Sequence, residues 1–503
     1  VYLTPFLGGL LADRVLGCVR AITIGGICMG IGYILLALPG MTFFYIALLM
    51  IIIGNGFFKP NISTLLGNVY NENQYRALKD SGYNIFYMGI NIGAFICNFF
   101  AAYLRNNFGW GYAFGAAGIG MFIGVIIFWF GMKHYRHADI VKPTQPEDMS
   151  MARIFSLVFL PALIAGGVGW IIPGNIFGSD STDAFIFACL PVIGFYCSLY
   201  FRASKPDKRP IAAMLAIFAV VVIFWAVFKQ NGTALTTWAE NYTDRSLPTL
   251  IEQPVSSINL SQRISTDVGT FPKYDSHFRT ERVDEKLVET QSQHPYFQNL
   301  PKGENPDAGN EVNLISTEIF QSVNPFFVII LTPLVVGLWI LLRRRNREPS
   351  TPTKIALGLV ISALSTLVMV GAVYAGSNGE IKVSPWWLIG CYGVITVGEL
   401  FLSPMGLSLV SKLSPPRITA LMMGGWFVST SLGNKLSGIL ATMWDNYDHK
   451  ATFFFVNFII LSAAAIAIFM MLKWLRRIFA DYTGEKSDPV MDQETKIVLE
   501  KGV

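Results

Sequence analysis

The chain has 503 residues, of which 52% are hydrophobic and only 14% are charged. This composition excludes an ordinary water-soluble domain, because a soluble fold has too little interior to hide so many apolar residues. The formal net charge of +5 is small, and the six cysteines are scattered without CxxC spacing. The sequence therefore predicts no nucleic-acid partner, no cofactor, and neither a metal site nor a disulfide framework.

Apolar segments long enough to cross a membrane dominate the chain. A spanning helix needs about 20 apolar residues, and thirteen candidates begin near residues 1, 21, 43, 83, 112, 152, 184, 211, 319, 354, 385, 417 and 451. The first is too short to span, and the chain begins with Val1 rather than Met. We therefore predict an all-α polytopic membrane protein whose first helix is missing from this sequence.

The loops between these segments alternate in charge. The basic loops contain Arg14 and Arg20, Arg76 and Lys79, Lys133 and Arg136, Arg202 and Lys205, Arg343 to Arg347, Lys412 and Arg417, and Lys473 to Arg477. The opposite loops, at 39–42, 173–183 and 376–384, are poorer in Lys and Arg. Because short basic loops face the cytoplasm, we predict that this side is cytoplasmic and that the C-terminus lies there too.

One connection breaks this alternation. Residues 241–317 are polar, charged and dotted with proline, without a span-length apolar run or a cysteine. We predict that they form an insertion on the periplasmic or extracellular side. Their composition fits both a small cap and partial disorder. We find no nucleophile or metal constellation typical of an enzyme in them.

Two opposite charges lie inside apolar segments at related positions. Lys59 falls in the stretch 54–60 (GNGFFKP), and Glu399 falls in the stretch 398–404 (GELFLSP). A charge at mid-bilayer costs roughly 2.5–3.5 kcal/mol on insertion scales, so chains keep one mainly where it lines a pathway or meets a partner. The related stretches predict a transporter built from two similar halves with a site between them. A purely structural ion pair is the alternative.

Several motifs resemble one transporter family. The stretch 8–17 (GGLLADRVLG) resembles the loop signature after the second helix of the major facilitator superfamily. Phe86-Tyr87-x-x-Ile90-Asn91-x-Gly93 resembles the signature of the proton-dependent oligopeptide transporters. Stretches 57–61, 224–230, 324–325 and 398–404 fall in that family's order, and the helices predicted near 152 and 184 match two extra helices of bacterial members. The resemblance covers nearly the whole chain.

This resemblance implies both a fold and an activity. The fold would be a major facilitator fold of two six-helix halves plus two inserted helices, functional as a monomer in the bacterial inner membrane. The implied function is a secondary active symporter, not an enzyme, that imports dipeptides and tripeptides with protons by alternating access. The alternatives are a carrier of another solute, such as nitrate or a drug, and a transport-inactive sensor.

The resemblance also implies a substrate site. A short peptide is a zwitterion, so Glu399 would accept its ammonium group and Lys59 would attract its carboxylate. The other predicted substrate-binding residues are Asn91 and Asn324 for the termini or the peptide amide, Ser403 from the motif of Glu399, and the aromatic walls Tyr2, Trp225 and Trp426. The alternatives are amides that join helices and aromatics that pack in the ordinary way.

The chain departs from the family pattern where protons are coupled. Most members have an acidic residue at the position of Lys229, and the Glu-x-x-Glu-Arg motif of the family's first helix is absent here. We hypothesise that Lys229 pairs with a carboxylate on the missing helix, so that proton coupling falls mainly on that helix and on Glu399. A lysine that reaches toward water is the alternative.

Other charged residues are predicted to gate the pathway. Besides Glu399, Lys59 and Lys229, Glu240 would belong to an outer gate or would be a solvated carboxylate at a helix end. Asp13 and Arg14 would form a cytoplasmic latch. The predicted organisation is an N-terminal bundle at 1–138, a linker with two extra helices at 139–210, a C-terminal bundle at 211–480 that contains the insertion 241–317, and a cytoplasmic tail at 481–503.

Overall fold

The computed structural model shows a bundle of long helices with a small β-structured insertion at one end. It describes residues 4–71, 75–139, 141, 150–174, 176–247, 261–275, 278, 280–283, 286–300, 309–315 and 317–483. The predicted aromatic wall residue Tyr2 and the tail from residue 484 lie outside the described residues.

The helices alternate between the two ends of the bundle. In chain order they are α1 (Thr4–Leu11), α2 (Cys18–Leu36), α3 (Met41–Val69), α4 (Lys79–Phe108), α5 (Trp110–Gly131), α6 (Met151–Ile154), α7 (Leu160–Ile171), α8 (Asp180–Arg202), α9 (Lys205–Phe228), α10 (Ala234–Asn241), α11 (Thr317–Arg344), α12 (Thr351–Ala375), α13 (Trp386–Leu413), α14 (Thr419–Thr442) and α15 (Lys450–Thr483). We call the end that carries the basic loops the basic end.

Eleven of the described helices are long and apolar enough to cross a membrane. They correspond to eleven of the thirteen predicted segments. The first predicted segment is α1, which has only 8 residues in the structure. The other exception is α14, which has 24 residues. Its buried residues include many glycines, serines and threonines, because α14 lies inside the protein, where small side chains let neighbouring helices approach.

The long helices form two groups that meet across an interface. In the first group α2 packs against α3 and α5, and in the second α12 packs against α13 and α15. Helices α7 and α8, from the predicted inserted pair, pack against each other. The groups meet where α1 and α3 contact α14 and where α4 contacts α11 and α13. Residues on these six helices therefore decide how the two groups move relative to each other.

Glycines allow the closest of these contacts. A Cβ atom added to Gly9 on α1 would lie 2.3 Å from the carbonyl oxygen of Ala420. A Cβ atom on Gly424 of α14 would lie 2.8 Å from the carbonyl oxygen of Pro5. Both distances are too short for a side chain, so the backbones of α1 and α14 approach each other only because these positions are glycine.

The outer insertion contains strands, so the prediction of an all-α chain does not extend to it. The strands are β1 (Ser261–Ser265), β2 (Gly269–Pro272), β3 (Arg282–Val283), β4 (Lys286–Leu287), β5 (Glu289–Ser292) and β6 (Glu311–Ile315). They pair antiparallel as β1–β6, β2–β5 and β3–β4. Ile264 of β1 and Leu314 of β6 are buried with Tyr296 and Phe297. This small apolar cluster makes the described part of the insertion a folded cap.

The cap is fastened to the loop between α12 and α13. In this loop the backbone N–H of Val383 donates to the carbonyl of Tyr242 at 2.9 Å, and that of Lys382 donates to the carbonyl of Asn299 at 2.8 Å. The Lys382 side chain is only 4% exposed. Its Nζ donates to the carbonyl of Asn241 and lies 4.7 Å from the ring centre of Phe278. A lysine is thus buried at the joint between cap and bundle.

Docking of the cap should depend on pH through Lys382. Burial, together with the nearby charge of Arg245, lowers the pKa of Lys382 from 10.5 to about 7, against the opposing effect of Asp244. A lysine released from this joint binds a proton more readily than the docked one, so the docked cap loses stability as the pH falls from about 10.5 to about 7. Below about pH 7 we expect Lys382 to cause no further loss of cap stability.

Limited proteolysis of the cap would measure this effect. We expect faster cleavage within residues 242–316 at about pH 7 than at about pH 9, and we expect Lys382→Met to remove the difference. Lys273→Met is the matched control, because Lys273 is a half-exposed cap lysine that pairs with Glu281 at 2.8 Å. The same pH dependence in Lys382→Met as in the unchanged protein would contradict the assignment to Lys382.

Candidate functional site

A buried carboxylate lies at the centre of the interface between the two groups. Glu399 of α13 is 2% exposed. The side-chain amide of Asn324 on α11 donates to Glu399 Oε2 at 2.8 Å and to the Thr396 hydroxyl at 2.9 Å. The Tyr87 hydroxyl on α4 donates to Glu399 Oε1. Because α4 and α13 belong to different groups, this carboxylate links the two halves of the bundle.

Two lysines lie around this carboxylate. Lys59 of α3 and Lys229 are close enough for the charge of one to act on the other. The charge of Glu399 also acts on Lys229. No ion pair within 4 Å joins Lys59 directly to Glu399, although both residues belong to the described part of the chain. The centre of the interface therefore brings together one carboxyl group, that of Glu399, and two lysines.

Lys229 sits at a break in a membrane helix. Helix α9 ends at Phe228, a 3₁₀ turn follows at Lys229–Gly232, and α10 begins at Ala234. Lys229 Nζ lies 5.5 Å from the ring centre of Trp225 and 5.7 Å from that of Phe228. Interrupted helices are a recurrent feature of solute sites in transporters, because the freed backbone groups can line a cavity.

The structure places the other predicted substrate-binding residues as follows. Asn91 is buried on α4, and its amide donates to the carbonyl of Tyr87 one turn earlier at 2.9 Å. Ser403 is buried one turn after Glu399, and its side chain lies near the Tyr87 hydroxyl. Of the two amides, Asn324 therefore joins two helices and Asn91 bonds within its own helix.

The two predicted aromatic walls are closely packed. Trp225 is 7% exposed and lies edge-on to Phe228, with ring centres 5.4 Å apart. Trp426 of α14 is 2% exposed, and a Cβ atom on Gly406 would lie 1.8 Å from its Cη2 atom. Both tryptophans pack inside the protein in this conformation. They would contribute to a substrate cavity only as wall residues beside the helix interface.

The predicted outer-gate residue lies beside the cap. Glu240, on the last turn of α10, is exposed. Its charge acts on Tyr274 of the cap, where burial chiefly, and then Glu240, raises the pKa of the tyrosine hydroxyl. The structure therefore brings Glu240 to the joint between bundle and cap and not to the buried centre with Glu399.

A second buried charge cluster closes the basic end. Asp80 at the start of α4 pairs with Lys354 of α12 at 2.9 Å and with Lys412 of α13 at 3.0 Å. Lys354 also pairs with Glu348 at 2.6 Å. The Ser408 hydroxyl donates to Asp80 as well. This cluster joins the first group of helices to the second at their basic ends.

The predicted latch residues lie at the same end. Asp13 is 5% exposed in a π-helical turn at Ala12–Leu16, and its Oδ2 accepts a hydrogen bond from the backbone N–H of Leu421 at 2.9 Å. Leu421 lies in the first turn of α14, where backbone N–H groups favour an anion. Asp13 therefore ties the end of α1 to the start of α14, while its neighbour Arg14 lines a separate recess.

Sequence reasoning missed Tyr87, Thr396 and the cluster around Asp80. Tyr87 belongs to the motif that suggested the family, but a tyrosine in an apolar helix carries no signal of its own. Asp80 lies in the first turn of α4 beside Lys79, and the charge pattern of the sequence indicates only a basic loop there. An acidic residue at the basic end of a membrane helix was the available signal for this cluster.

Comparison with known proteins decides the family. A profile described as POT family matches residues 19–257 and 308–457, which is more than half of the chain. This chain belongs to the POT family. The family consists of transporters, so the protein is a membrane transporter and not an enzyme. The predicted resemblance to the oligopeptide transporters is confirmed at the level of the family.

Individual relatives are similar over most of their length. The chain is 29% identical to the Uncharacterized transporter YclF of Bacillus subtilis, over 93% of this chain and 82% of the relative. It is 29% identical to the Peptide transporter YePEPT of Yersinia enterocolitica, over 97% and 86%. It is 27% identical to a Di-/tripeptide transporter of Lactococcus lactis, over 96% and 85%.

Solved structures agree on the fold. The crystal structure of peptide transporter POT in complex with sulfate superposes with a TM-score of 0.61 at 27% identity, covering 96% of this chain and 85% of that one. A POT family transporter in complex with thioalcohol conjugated peptide has a TM-score of 0.61 at 22% identity, covering 95% and 85%. The chain therefore has the major facilitator fold of this family, as predicted.

Proposed function

We propose that this POT family member is a secondary active symporter that imports dipeptides and tripeptides with protons by alternating access. The observation that carries the proposal is the Glu399 carboxylate, which is buried between the two halves and receives hydrogen bonds from Tyr87 on one side and Asn324 on the other. A substrate that engages this carboxylate competes with the contact between the halves, which couples binding to their relative movement.

The charges at the centre suit a short peptide. Glu399 would accept the ammonium group of the peptide, and Lys59 and Lys229 present positive charge for its carboxylate. Hydrogen bonds to charged partners are about twice as strong as those between neutral groups. Asn324 and Asn91 each supply donors and an acceptor for the peptide amide. A zwitterion whose two charges are a few bonds apart fits such a site better than an anion such as nitrate.

The relatives support the same substrate class. One of them is named a di-/tripeptide transporter and another a peptide transporter, and this chain matches each over more than nine tenths of its own length. We further propose that the protein works as a monomer in the bacterial inner membrane, with the basic end and the C-terminus in the cytoplasm.

Alternating access would use the two ends of the interface. The Asp80 cluster and the Asp13–Leu421 contact would hold the basic end closed in this conformation. Protonation and substrate binding at Glu399 would weaken its contact with Tyr87 and allow the halves to rock. Protons would then flow inward with the peptide, driven by roughly 2.3 kcal/mol per charge for each 100 mV of membrane potential.

Competition for uptake would test the substrate class. Labelled dipeptide uptake into liposomes that contain the protein should be inhibited by unlabelled dipeptides and tripeptides. It should be much less inhibited by peptides whose amine is acetylated or whose carboxylate is amidated, because each lacks one of the charges that the site would bind. Equal inhibition by nitrate, or by doubly blocked peptides, would contradict recognition of a peptide zwitterion.

Lys229 is expected to influence proton coupling. Among the described residues, Glu399 is an acidic group whose charge acts on Lys229. We therefore expect Lys229→Gln to change the pH dependence of dipeptide uptake measured over several pH values. Lys133→Gln, a substitution of a basic-loop lysine far from Glu399 in the chain, is the control. Uptake and pH dependence like those of the unchanged protein would contradict this role for Lys229.

A further inference from the structure

The last helix is longer than a membrane crossing requires. Helix α15 has 34 residues, which corresponds to a length of about 51 Å. The hydrocarbon core of a bilayer is only about 30 Å thick. Three basic residues, Lys473, Arg476 and Arg477, are exposed in the last three turns of α15, at the basic end. These turns therefore extend beyond the apolar layer, so membrane crossing does not explain why they are helical.

One face of these last turns is buried against the bundle. Leu475, Ile478 and Phe479 are buried there, and Tyr482 packs against the same apolar core. Positions 475, 478, 479 and 482 have the spacing i, i+3, i+4 and i+7, which places them on one side of a helix. The end of α15 is thus an amphipathic segment that docks on the basic end of the protein.

Phe479 contacts a charge that belongs to the buried cluster around Asp80. The Nζ atom of Lys412 lies 5.3 Å from the ring centre of Phe479. This distance is within the roughly 6 Å over which the face of an aromatic ring attracts a cation. The same Nζ atom lies 3.0 Å from Asp80 Oδ1. The ring of Phe479 therefore contacts the lysine that connects α13 of the second half to α4 of the first half.

Polar contacts on either side of Phe479 hold the end of α15 in place. The Nε atom of Arg476 donates to the hydroxyl of Thr353, in the first turn of α12, at 3.0 Å. The Tyr482 hydroxyl lies near the carboxylate of Asp207 in the first turn of α9. Arg417, from the 3₁₀ turn Pro416–Ile418 before α14, lies 3.7 Å from the same carboxylate. The last turns of α15 are therefore fixed to the neighbouring helices α9 and α12.

We propose that residues 473–483 at the end of α15 form a brace that positions Lys412 for its contact with Asp80 and so stabilises the closed basic end. A lysine carries its ammonium group on a flexible four-carbon stem. A ring that attracts this group beside Asp80 favours the ion pair over the other positions of the side chain. Phe479 is thus a positioning residue that acts through Lys412. The proposal holds whichever solute is carried.

Amide hydrogen exchange of the purified full chain tests the brace without transport. We expect Phe479→Leu to raise the exchange rate at the start of α4, around Asp80, by about twofold to thirtyfold. The loss of a cation–π contact shifts an equilibrium by about this factor. Phe469→Leu is the control, because Phe469 is 43% exposed on the same helix, and this variant should exchange like the unchanged protein. Unchanged exchange around Asp80 in Phe479→Leu would overturn the proposal.

A second background separates positioning from ordinary packing. In Lys412→Met the ammonium group is absent, so the further substitution Phe479→Leu should change the exchange rate around Asp80 much less than it does in the unchanged protein. A residue that only fills space would cause the same change in both backgrounds, and that result would overturn the proposal.

A milder variant tests the docking of the brace. Tyr482→Phe keeps the ring and removes only the hydroxyl near Asp207, so this variant should fold. We expect faster exchange both in the last turns of α15 and at the start of α4, because a loosened brace positions Lys412 less well. Faster exchange in α15 with unchanged exchange in α4 would show that the end of α15 does not act on the closed basic end, and it would overturn the proposal.

Discussion

Glu399→Gln is expected to abolish the uptake of dipeptides that carry a free amine. The substitution preserves the shape of the side chain and can keep a contact with Tyr87 and Asn324, but it removes the negative charge. The loss of a charge-assisted hydrogen bond costs about 1.5–3 kcal/mol, which corresponds to a fall in peptide affinity of about tenfold to more than a hundredfold. Uptake and equilibrium binding of a labelled dipeptide would both report this loss.

A control substitution of another glutamate separates the loss of charge at the site from a general effect of replacing glutamate by glutamine. Glu380 is exposed in the loop between α12 and α13, so Glu380→Gln makes the same chemical change away from the interface. We expect this variant to take up and bind dipeptides like the unchanged protein. If Glu399→Gln retained full affinity for free-amine peptides, the carboxylate would not be the group that binds the ammonium.

Asp80→Asn is expected to destabilise the closed basic end strongly. Among the described residues of its cluster, Asp80 is the one from the first half of the bundle, and it pairs with both Lys354 and Lys412. Removal of one partner of a buried ion pair typically costs about 3–5 kcal/mol, because the remaining charge stays buried. We expect a marked fall in unfolding temperature and a loss of gradient-driven uptake.

The burial of the ion pair, and not its nitrogen–oxygen distance, should determine how much stability is lost. The exposed pair Lys273–Glu281 has a nitrogen–oxygen distance of 2.8 Å, close to the 2.9 Å of Lys354–Asp80. Lys273→Met should nevertheless change stability by less than about 1 kcal/mol, because exposed pairs contribute little. The double variant Asp80→Asn, Lys412→Met should lose less unfolding free energy than the two single variants lose together, since both substitutions remove the same contact. Simple additivity would show that Asp80 and Lys412 do not interact.

Much of the architecture could be predicted because the membrane imposes strong rules on composition. Apolar length located eleven helices that the structure also identifies as candidate spans. The rules failed where protein replaces lipid as the environment. Helix α14 is buried by its neighbours, so its glycines and hydroxyl residues lower its hydropathy without preventing its formation. The composition of residues 241–317 does not distinguish a folded cap from disorder, because the small cluster around Ile264 and Leu314 suffices to fold the cap.

The site was predictable where a residue is costly in its surroundings. Lys59 and Glu399 stood out because a charge in an apolar helix needs a reason. Tyr87 did not, because its hydroxyl becomes informative only when α4 is seen beside α13. The same holds for Asp80, which is more than 250 residues away in the chain from its partners Lys354 and Ser408. Such pairings arise from tertiary packing, which no local pattern in the sequence encodes.

Proton-driven accumulation of a labelled dipeptide in liposomes tests the central claim most directly. The purified protein would be reconstituted, and uptake would be followed with and without an inward proton gradient. Proton–peptide symport predicts that the dipeptide rises above its external concentration only with the gradient, and that a protonophore abolishes the accumulation. Equilibration that is indifferent to the gradient, or no dipeptide uptake at all, would contradict the proposed function.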